Sequence, residues 1–220
     1  MLSEEDRLSV GLNRLGLSVS DVQLSKLRCY ARMVLEFNKG YNLMKAEGED
    51  EMYVNHILDS LSALRHIQDL TERLSSKQPV FADIGSGGGC PGIPLAILME
   101  SCPFTLVERM EKRSAFLTGV VGELALQNVC IQTVQAEKVV PGSFDLALFR
   151  AFHPFDRKTT KTLLSLVKAG GFLVAYKARS EKIAAEMETV RDMIPSYQKI
   201  PLTVPFLEDH ERNLVVIRKC

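Results

Sequence analysis

Five glycines crowd into eight positions of VFADIGSGGGCPGIPLAILME, residues 80–100, with Asp83 just ahead of them. Gly85, Gly87 and Gly89 alternate after that acid as D-x-G-x-G-x-G. An apolar run, a glycine turn and a second apolar run predict a strand, a tight bend and a helix. Bare backbone at such a bend lets a ligand approach closely, and the helix start offers unpaired N–H groups. Glu108 closes the next apolar run, FTLVE, about 20 residues beyond the bend; an acid there can accept from both hydroxyls of a ribose. Arg150 closes another run, FDLALFR, at the strand end where ligands bind in sheets of this kind. These residues point to recognition of a nucleoside, with an arginine at the rim. A tight turn with no ligand would account for the glycines but not for acids at both expected places.

The ribose requirement is common to nicotinamide dinucleotides and S-adenosylmethionine, so Glu108 does not separate them. A formal G-x-G-x-x-G runs from Gly87 through Gly89 to Gly92. By itself that match is weak, and Pro91 inside it removes a donor where a pyrophosphate wants one. Asp83 would repel a pyrophosphate, whereas it can answer an ammonium directly or through water. S-adenosylmethionine carries an ammonium and a carboxylate and no phosphate, so the acids favour it.

The elements that must position these residues change character along the chain. Residues 1–77 read as helices. Ser3 followed by Asp6 can cap a first short one, and Ser20 with Gln23 has capping-box spacing ahead of an apolar face at Leu24, Leu27, Ala31, Val34 and Leu35. A further helix is expected from about Glu51 to Leu70. From Pro79 onward strands and helices alternate, which argues for a parallel α/β sheet. KTTKTLLSLVKAGG reads as a helix ending on paired glycines. YQKIPLTVP and RNLVVIRK, with a short link between them, must pair antiparallel, because a parallel crossover needs a dozen residues or more. The expected division is a helical region over 1–77 and a Rossmann-like α/β domain over 78–220. An antiparallel ending fits methyltransferases better than nicotinamide-binding sheets.

With 220 residues, 46% of them hydrophobic, the chain can bury a real core. Its net charge of +0 argues against a strongly basic, nonspecific nucleic-acid binder and leaves room only for a local basic patch. Cys29, Cys90, Cys102, Cys130 and Cys220 are odd in number and lack C-x-x-C spacing, so reduced, packed thiols are expected rather than disulfides or a zinc site. The acidic, amphipathic start is unlike a signal peptide, and no run of about 18 apolar residues exists. A cytoplasmic protein, away from membranes and monomeric, is expected.

FADIGSGGGCPGIPLAI resembles the first motif of the RsmG (GidB) family of bacterial 16S ribosomal RNA methyltransferases. FNKGYNLMKAEGEDEMYVNHILDSLSAL is similar to that family's N-terminal signature, with N-K-x-Y-N-L and H-x-L-D-S-L both intact. FDLALFRAF resembles its fourth-strand motif and ERNLVVIRK its final strand, so the likeness runs from about Phe37 to Lys219. The resemblance implies a class I S-adenosylmethionine-dependent methyltransferase fold with a seven-stranded sheet. It also implies methylation of guanine N7 in 16S ribosomal RNA, or in the small ribosomal subunit that contains it. By matching motifs, cofactor contacts are expected at Gly85, Cys90, Ala136, Glu137 and Arg150, beside Gly87 and Glu108. Departures from the family pattern are Cys90 for Leu or Phe, Phe37 for Trp, Met44 for Thr and Ala178 for Gly; they bear on packing and remove no charged contact.

Guanine N7 has a free lone pair and no proton to lose, so no general base is expected. Arg150 is the catalytic candidate, to bond guanine O6 or the cofactor carboxylate. His56, Asp59 and Ser60 share a helical face and can form either a substrate-side wall or a docking contact for the N-terminal helices. Asn38 and Asn42 carry the same two readings, and Tyr41 or Phe152 can stack on a base or fill the core. Three basic clusters follow strand ends: Arg109, Lys112 and Arg113; Arg157, Lys158 and Lys161; Lys177, Arg179 and Lys182. Together they suggest a rim for phosphates. The competing readings are a methyltransferase for a small molecule or protein, an NAD-dependent oxidoreductase, and a noncatalytic nucleotide or RNA binder.

Overall fold

The computed structural model describes residues 6–150 and 154–220. Asp6 caps α1 (Arg7–Arg14), its side chain accepting from Ser9 N; Ser3 lies outside the described residues. Ser20 and Gln23 form the expected reciprocal box at the head of α2 (Asp21–Asn38). Leu27, Ala31 and Val34 are buried there, while Leu24 and Leu35 are half-buried.

The single helix expected over residues 51–70 is not continuous. It resolves into α3 (Glu49–Met52), a π-helical turn (Tyr53–Leu58), α4 (Asp59–Leu61) and α5 (Leu64–Glu72). The apolar face survives, since Val54, Ile57, Leu58, Leu61 and Leu64 are all buried. The wider π turn changes the polar side instead, and such turns recur at functional sites.

β1 (Phe81–Ile84), α6 (Gly92–Leu98), β2 (Phe104–Val107), α7 (Glu111–Glu123) and β3 (Val129–Gln132) follow in alternation. Then come a 3-10 turn (Ala136–Lys138), β4 (Phe144–Arg150), α8 (Arg157–Leu166), β5 (Val167–Lys177), α9 (Ser180–Thr189), β6 (Gln198–Leu202) and β7 (Arg212–Arg218). The seven strands make one sheet in the order β3-β2-β1-β4-β5-β7-β6. β1 to β5 pair in parallel, and β7 slots antiparallel between β5 and β6. The strand order reverses between β1 and β4, which opens a crevice at their carboxyl ends. The glycine turn leaves β1 there and Arg150 ends β4 there.

The helix expected to stop on Gly170 and Gly171 stops earlier, at Leu166, and β5 begins before the glycines. Its register against β4 jumps from Phe144↔Val167 to Leu146↔Phe172, so the glycines sit in a bulge. Gly171 lies so close to the Asp145 carbonyl that a Cβ would come within 2.5 Å of it. Alternate strand residues face opposite layers. Phe81, Leu106, Leu148 and Val174 join one apolar cluster with the N-terminal helices, α6 and α7. Ala82, Ala147, Leu173 and Val215 join a second with residues of α8 and α9.

Candidate functional site

The bend after β1 turns through Gly85 (φ +72°) and Gly87 (φ +56°), a left-handed path that favours glycine. Its amides are largely spoken for. Gly85 and Ser86 N–H donate to the Val107 carbonyl at 2.8 and 3.1 Å, and Gly89 N–H donates to the Ser86 carbonyl at 2.7 Å. Gly87 N–H donates to Glu108 Oε2 at 2.9 Å, and Gly92 N–H to Asp83 Oδ2 at 2.9 Å. Pro91 has no N–H. The turn therefore lacks the open nest of donors that a diphosphate needs.

Asp83 is buried, and its Oδ1 has no hydrogen-bond partner. Burial pushes its pKa up to about 7; the Gly92 N–H and the Arg150 charge oppose that shift, and Glu108 adds to it. A buried acceptor with nothing to accept from fits a ligand that brings a donor or a positive charge. The Glu108 carboxylate is oriented by Gly87 N–H on one oxygen and Met110 N–H, at 2.8 Å, on the other. Each oxygen keeps a lone pair for a further donor. Gly85, Glu108, Ala136 and Glu137 line one cleft of about 730 Å³. Gly87 and Cys90 are not among its lining residues. Gly87 is tied to Glu108, whereas Cys90 is buried with Sγ 3.1 Å from the Tyr30 hydroxyl. Burial pushes the Cys90 thiol pKa up, so it packs as a neutral group.

Arg150 lines a second cleft, of about 580 Å³, over the ends of β4, β5 and β7. Nη1 donates to Asn55 O at 3.2 Å and to Asp59 Oδ2 at 2.8 Å, while Nη2 donates to His56 Nδ1 at 3.0 Å. Thus the structure brings His56 and Asp59 onto Arg150 and leaves Ser60 apart. Ser60 Oγ donates to its own helix at His56 O, and its carbonyl accepts from the Tyr176 hydroxyl at 2.8 Å.

The N-terminal signature holds the glycine turn in place. Asn38 Oδ1 accepts from Leu43 and Met44 N–H, and its amide donates to the Met44 and Ala46 carbonyls. That folds the loop so that Met44 covers Gly88, where a Cβ would meet Met44 Sδ at 2.2 Å. Tyr30 donates to Gly88 O at 2.8 Å from beneath. Asn38 is thus a loop brace; Asn42 is exposed. Tyr41 packs edge-on against Phe37 with Lys112 Nζ 4.3 Å from its ring centroid. Phe152 lies outside the described residues.

Sequence reasoning missed Tyr30, Tyr176 and Arg212. Arg212 Nε donates to Asp59 Oδ1 at 3.0 Å from the start of β7. Its one sequence signal was a cation at the head of an apolar strand. Of the basic clusters, Arg157 is held by both oxygens of Asp192 and Lys177 by Glu186. Arg109, Lys112, Lys158, Lys161, Arg179 and Lys182 are exposed, and Arg113 is half-buried. Among the described residues, no group of three metal-ligating side chains gathers, and no helix is long and apolar enough to cross a membrane.

Comparison with known proteins agrees with this geometry. The family model described as rRNA small subunit methyltransferase G (GidB) matches residues 23–215. The ribosomal RNA small subunit methyltransferase G of Treponema denticola is 38% identical, over 95% of this chain and 92% of that protein. Its counterpart in Neisseria meningitidis serogroup B is 34% identical over 99% and 100%. Among solved structures, the METTL16 methyltransferase domain superposes with a TM-score of 0.61 at 13% identity, covering 86% of this chain and 78% of that one. That last likeness concerns the fold alone, which is the class I methyltransferase fold. With its match across most of the chain, the protein belongs to the rRNA small subunit methyltransferase G family.

Proposed function

We propose that this protein transfers a methyl group from S-adenosylmethionine to N7 of a guanine in 16S ribosomal RNA. The carrying observation is the bend after β1. Most of its amides are committed internally, and two buried acids, Asp83 and Glu108, stand beside it. That arrangement repels a diphosphate and suits a cationic nucleoside, which speaks against the oxidoreductase reading. Glu108 would take the ribose, Ala136 and Glu137 the adenine side, and Asp83 the ammonium, with Gly85, Gly87 and Cys90 shaping the wall.

When bound, the cofactor supplies an electrophilic methyl on a sulfonium. Because guanine N7 has a free lone pair and no proton to lose, the chain's residues would need only to hold N7 in line with that methyl group and keep water out. Arg150 has three of its five N–H groups committed to the N-terminal helices. Its remaining donors would serve guanine O6 or the cofactor carboxylate and leave the N7 lone pair free to react. The division at residues 77/78 belongs to the same proposal. Tyr30, Met44 and Asp59 reach from the helical region onto the glycine turn and Arg150, which supports that region as a wall of the site. The proposed setting is the cytoplasm, with a monomer acting on 16S RNA or the small subunit.

Calorimetric titration tests the cofactor: S-adenosylmethionine should bind and NAD should not. Methylation of free 16S RNA and of assembled small subunits, mapped by cleavage at N7-methylguanine, tests the substrate. Uptake of NAD alone, or full N7 methylation by Arg150→Ala, would overturn the reading.

A further inference from the structure

One buried carboxylate in the second cleft holds two cations. Asp59 is 5% exposed, and its two oxygens accept from Arg150 and from Arg212, one on β4 and one on β7. The Arg150 guanidinium is also gripped by Asn55 O and His56 Nδ1. Arginine has no acceptor, so His56 Nδ1 must accept, and the imidazole proton must sit on Nε2. Nε2 then donates to Lys45 O at 3.0 Å, which pins the ring from the other side. A protonated His56 would turn a donor toward Arg150 and lose that bond. The π turn makes this possible, because Asn55, His56 and Asp59 reach one planar fork from a single segment. Without these partners a long side chain at a strand end would sample several rotamers.

We infer that Asp59 and His56 are positioning residues that fix the plane of the Arg150 guanidinium in the cleft, with Asp59 tying Arg212 to the same wall. This rests on the reading of Arg150 as the substrate-facing arginine. It goes further by assigning the H-x-L-D signature to the orientation of that arginine rather than to docking alone.

The experiment is a set of single-turnover and steady-state assays on small subunits with labelled S-adenosylmethionine. Arg150→Lys, measured first, should be slow; a full rate would overturn the reading of Arg150 and the inference with it. Asp59→Asn should then lower kcat about 10- to 100-fold, with KM for subunits and cofactor affinity little changed. Asp59→Asn combined with Arg150→Lys should be no slower than Arg150→Lys alone. If Arg150→Lys is slow but the two losses multiply, the reading of Arg150 stands and positioning by Asp59 falls.

Should Asp59→Asn fail to fold, the His56 variants still decide. His56→Leu should be slow. His56→Gln should recover most of the rate, because its amide can accept from Arg150 and donate to Lys45. Charged groups around His56 are Arg150 from β4, Asp59 and Glu51 from its own segment, and Lys177 and Arg212 on the cleft wall from β5 and β7. Burial first, and the Arg150 charge second, push the His56 pKa below its ordinary value. The wild-type kcat should therefore fall on the acid side, with a midpoint below the usual histidine range, and His56→Gln should lack that limb. An acid limb that persists unchanged in His56→Gln, or no recovery over His56→Leu, overturns the inference.

Discussion

The Asp83 carboxylate has one hydrogen-bond partner and is almost wholly buried, and this makes its charge a variable of the site. Its folded pKa of about 7 stands above the 3.8 of an ordinary Asp, chiefly through burial. Between those values the folded chain keeps a proton that the unfolded chain has released. The contribution of Asp83 to stability is therefore full below about pH 4 and is lost as pH rises through about 7. Thermal melts across that range should show the ligand-free wild type losing this contribution, and Asp83→Asn should lack that component. The proposed ammonium contact would reverse the shift. Calorimetry near about pH 6.5, in buffers of different ionisation enthalpy, should then show protons released on cofactor binding by the wild type and none by Asp83→Asn. Equal release from both would remove Asp83 from the ammonium site. Gly92 explains why the carboxylate stays where it is. A Cβ there would come within 2.4 Å of Leu106 Cδ2 and 2.8 Å of Asp83 Oδ2, whereas at Gly40 it would meet nothing within 4 Å. Gly92→Ala should cost about 1–3 kcal/mol in denaturant unfolding. Gly40→Ala should stay within about 0.5 kcal/mol of the wild type.

At the scale of elements, the loop between α2 and α3 is braced by one side chain. Asn38 makes four hydrogen bonds to that loop's backbone, and the loop presses Met44 onto Gly88. Asn38→Ala should cost on the order of 2 kcal/mol, since several partly buried backbone groups lose partners at once. Amide exchange should rise at Leu43 and Met44 and stay unchanged in β4 and β5. Exchange that rose across the whole sheet would show Asn38 to be part of the global core instead. The elements themselves were largely legible, because their signals are local. Ser20 and Gln23 box a helix start, and the alternation of strands and helices dictates parallel pairing. Where the sequence misled, the deciding partner was distant. Gly170 and Gly171 look like a helix stop, yet pairing with β4 draws Val167 into a strand first. The π turn at Tyr53–Leu58 keeps an ordinary apolar face, so nothing in the periodicity announces it. Asp59 meets Arg150 and Arg212 across 91 and 153 residues of chain, and no spacing rule links positions so far apart.

For the whole molecule, a net charge of +0 means that attraction to RNA must come from where the cations sit and which of them are free. The rim at the strand ends carries three basic clusters, but the fold withdraws part of that charge. Arg157 is neutralised by a bidentate pair with Asp192, at 2.6 and 2.9 Å, and Lys177 lies 2.6 Å from Glu186. Lys158 lines the cleft at Glu108, while Arg179 and Lys182 line the cleft at Arg150, and all three are exposed. Cations thus stand at both clefts, where they can meet the phosphates of a bound RNA. Binding to small subunits should therefore weaken with salt along a straight line in log–log form, each phosphate contact adding about 0.7–0.9 to the slope. Lys158→Ala with Lys182→Ala should flatten that slope by about 1.4–1.8, two contacts' worth. Arg157→Ala should leave it alone, because its charge is already answered on the surface. Filter binding over a salt series with all three proteins gives the comparison. A slope that is unchanged in the double variant, or that Arg157→Ala reduces equally, would move the RNA path off this rim.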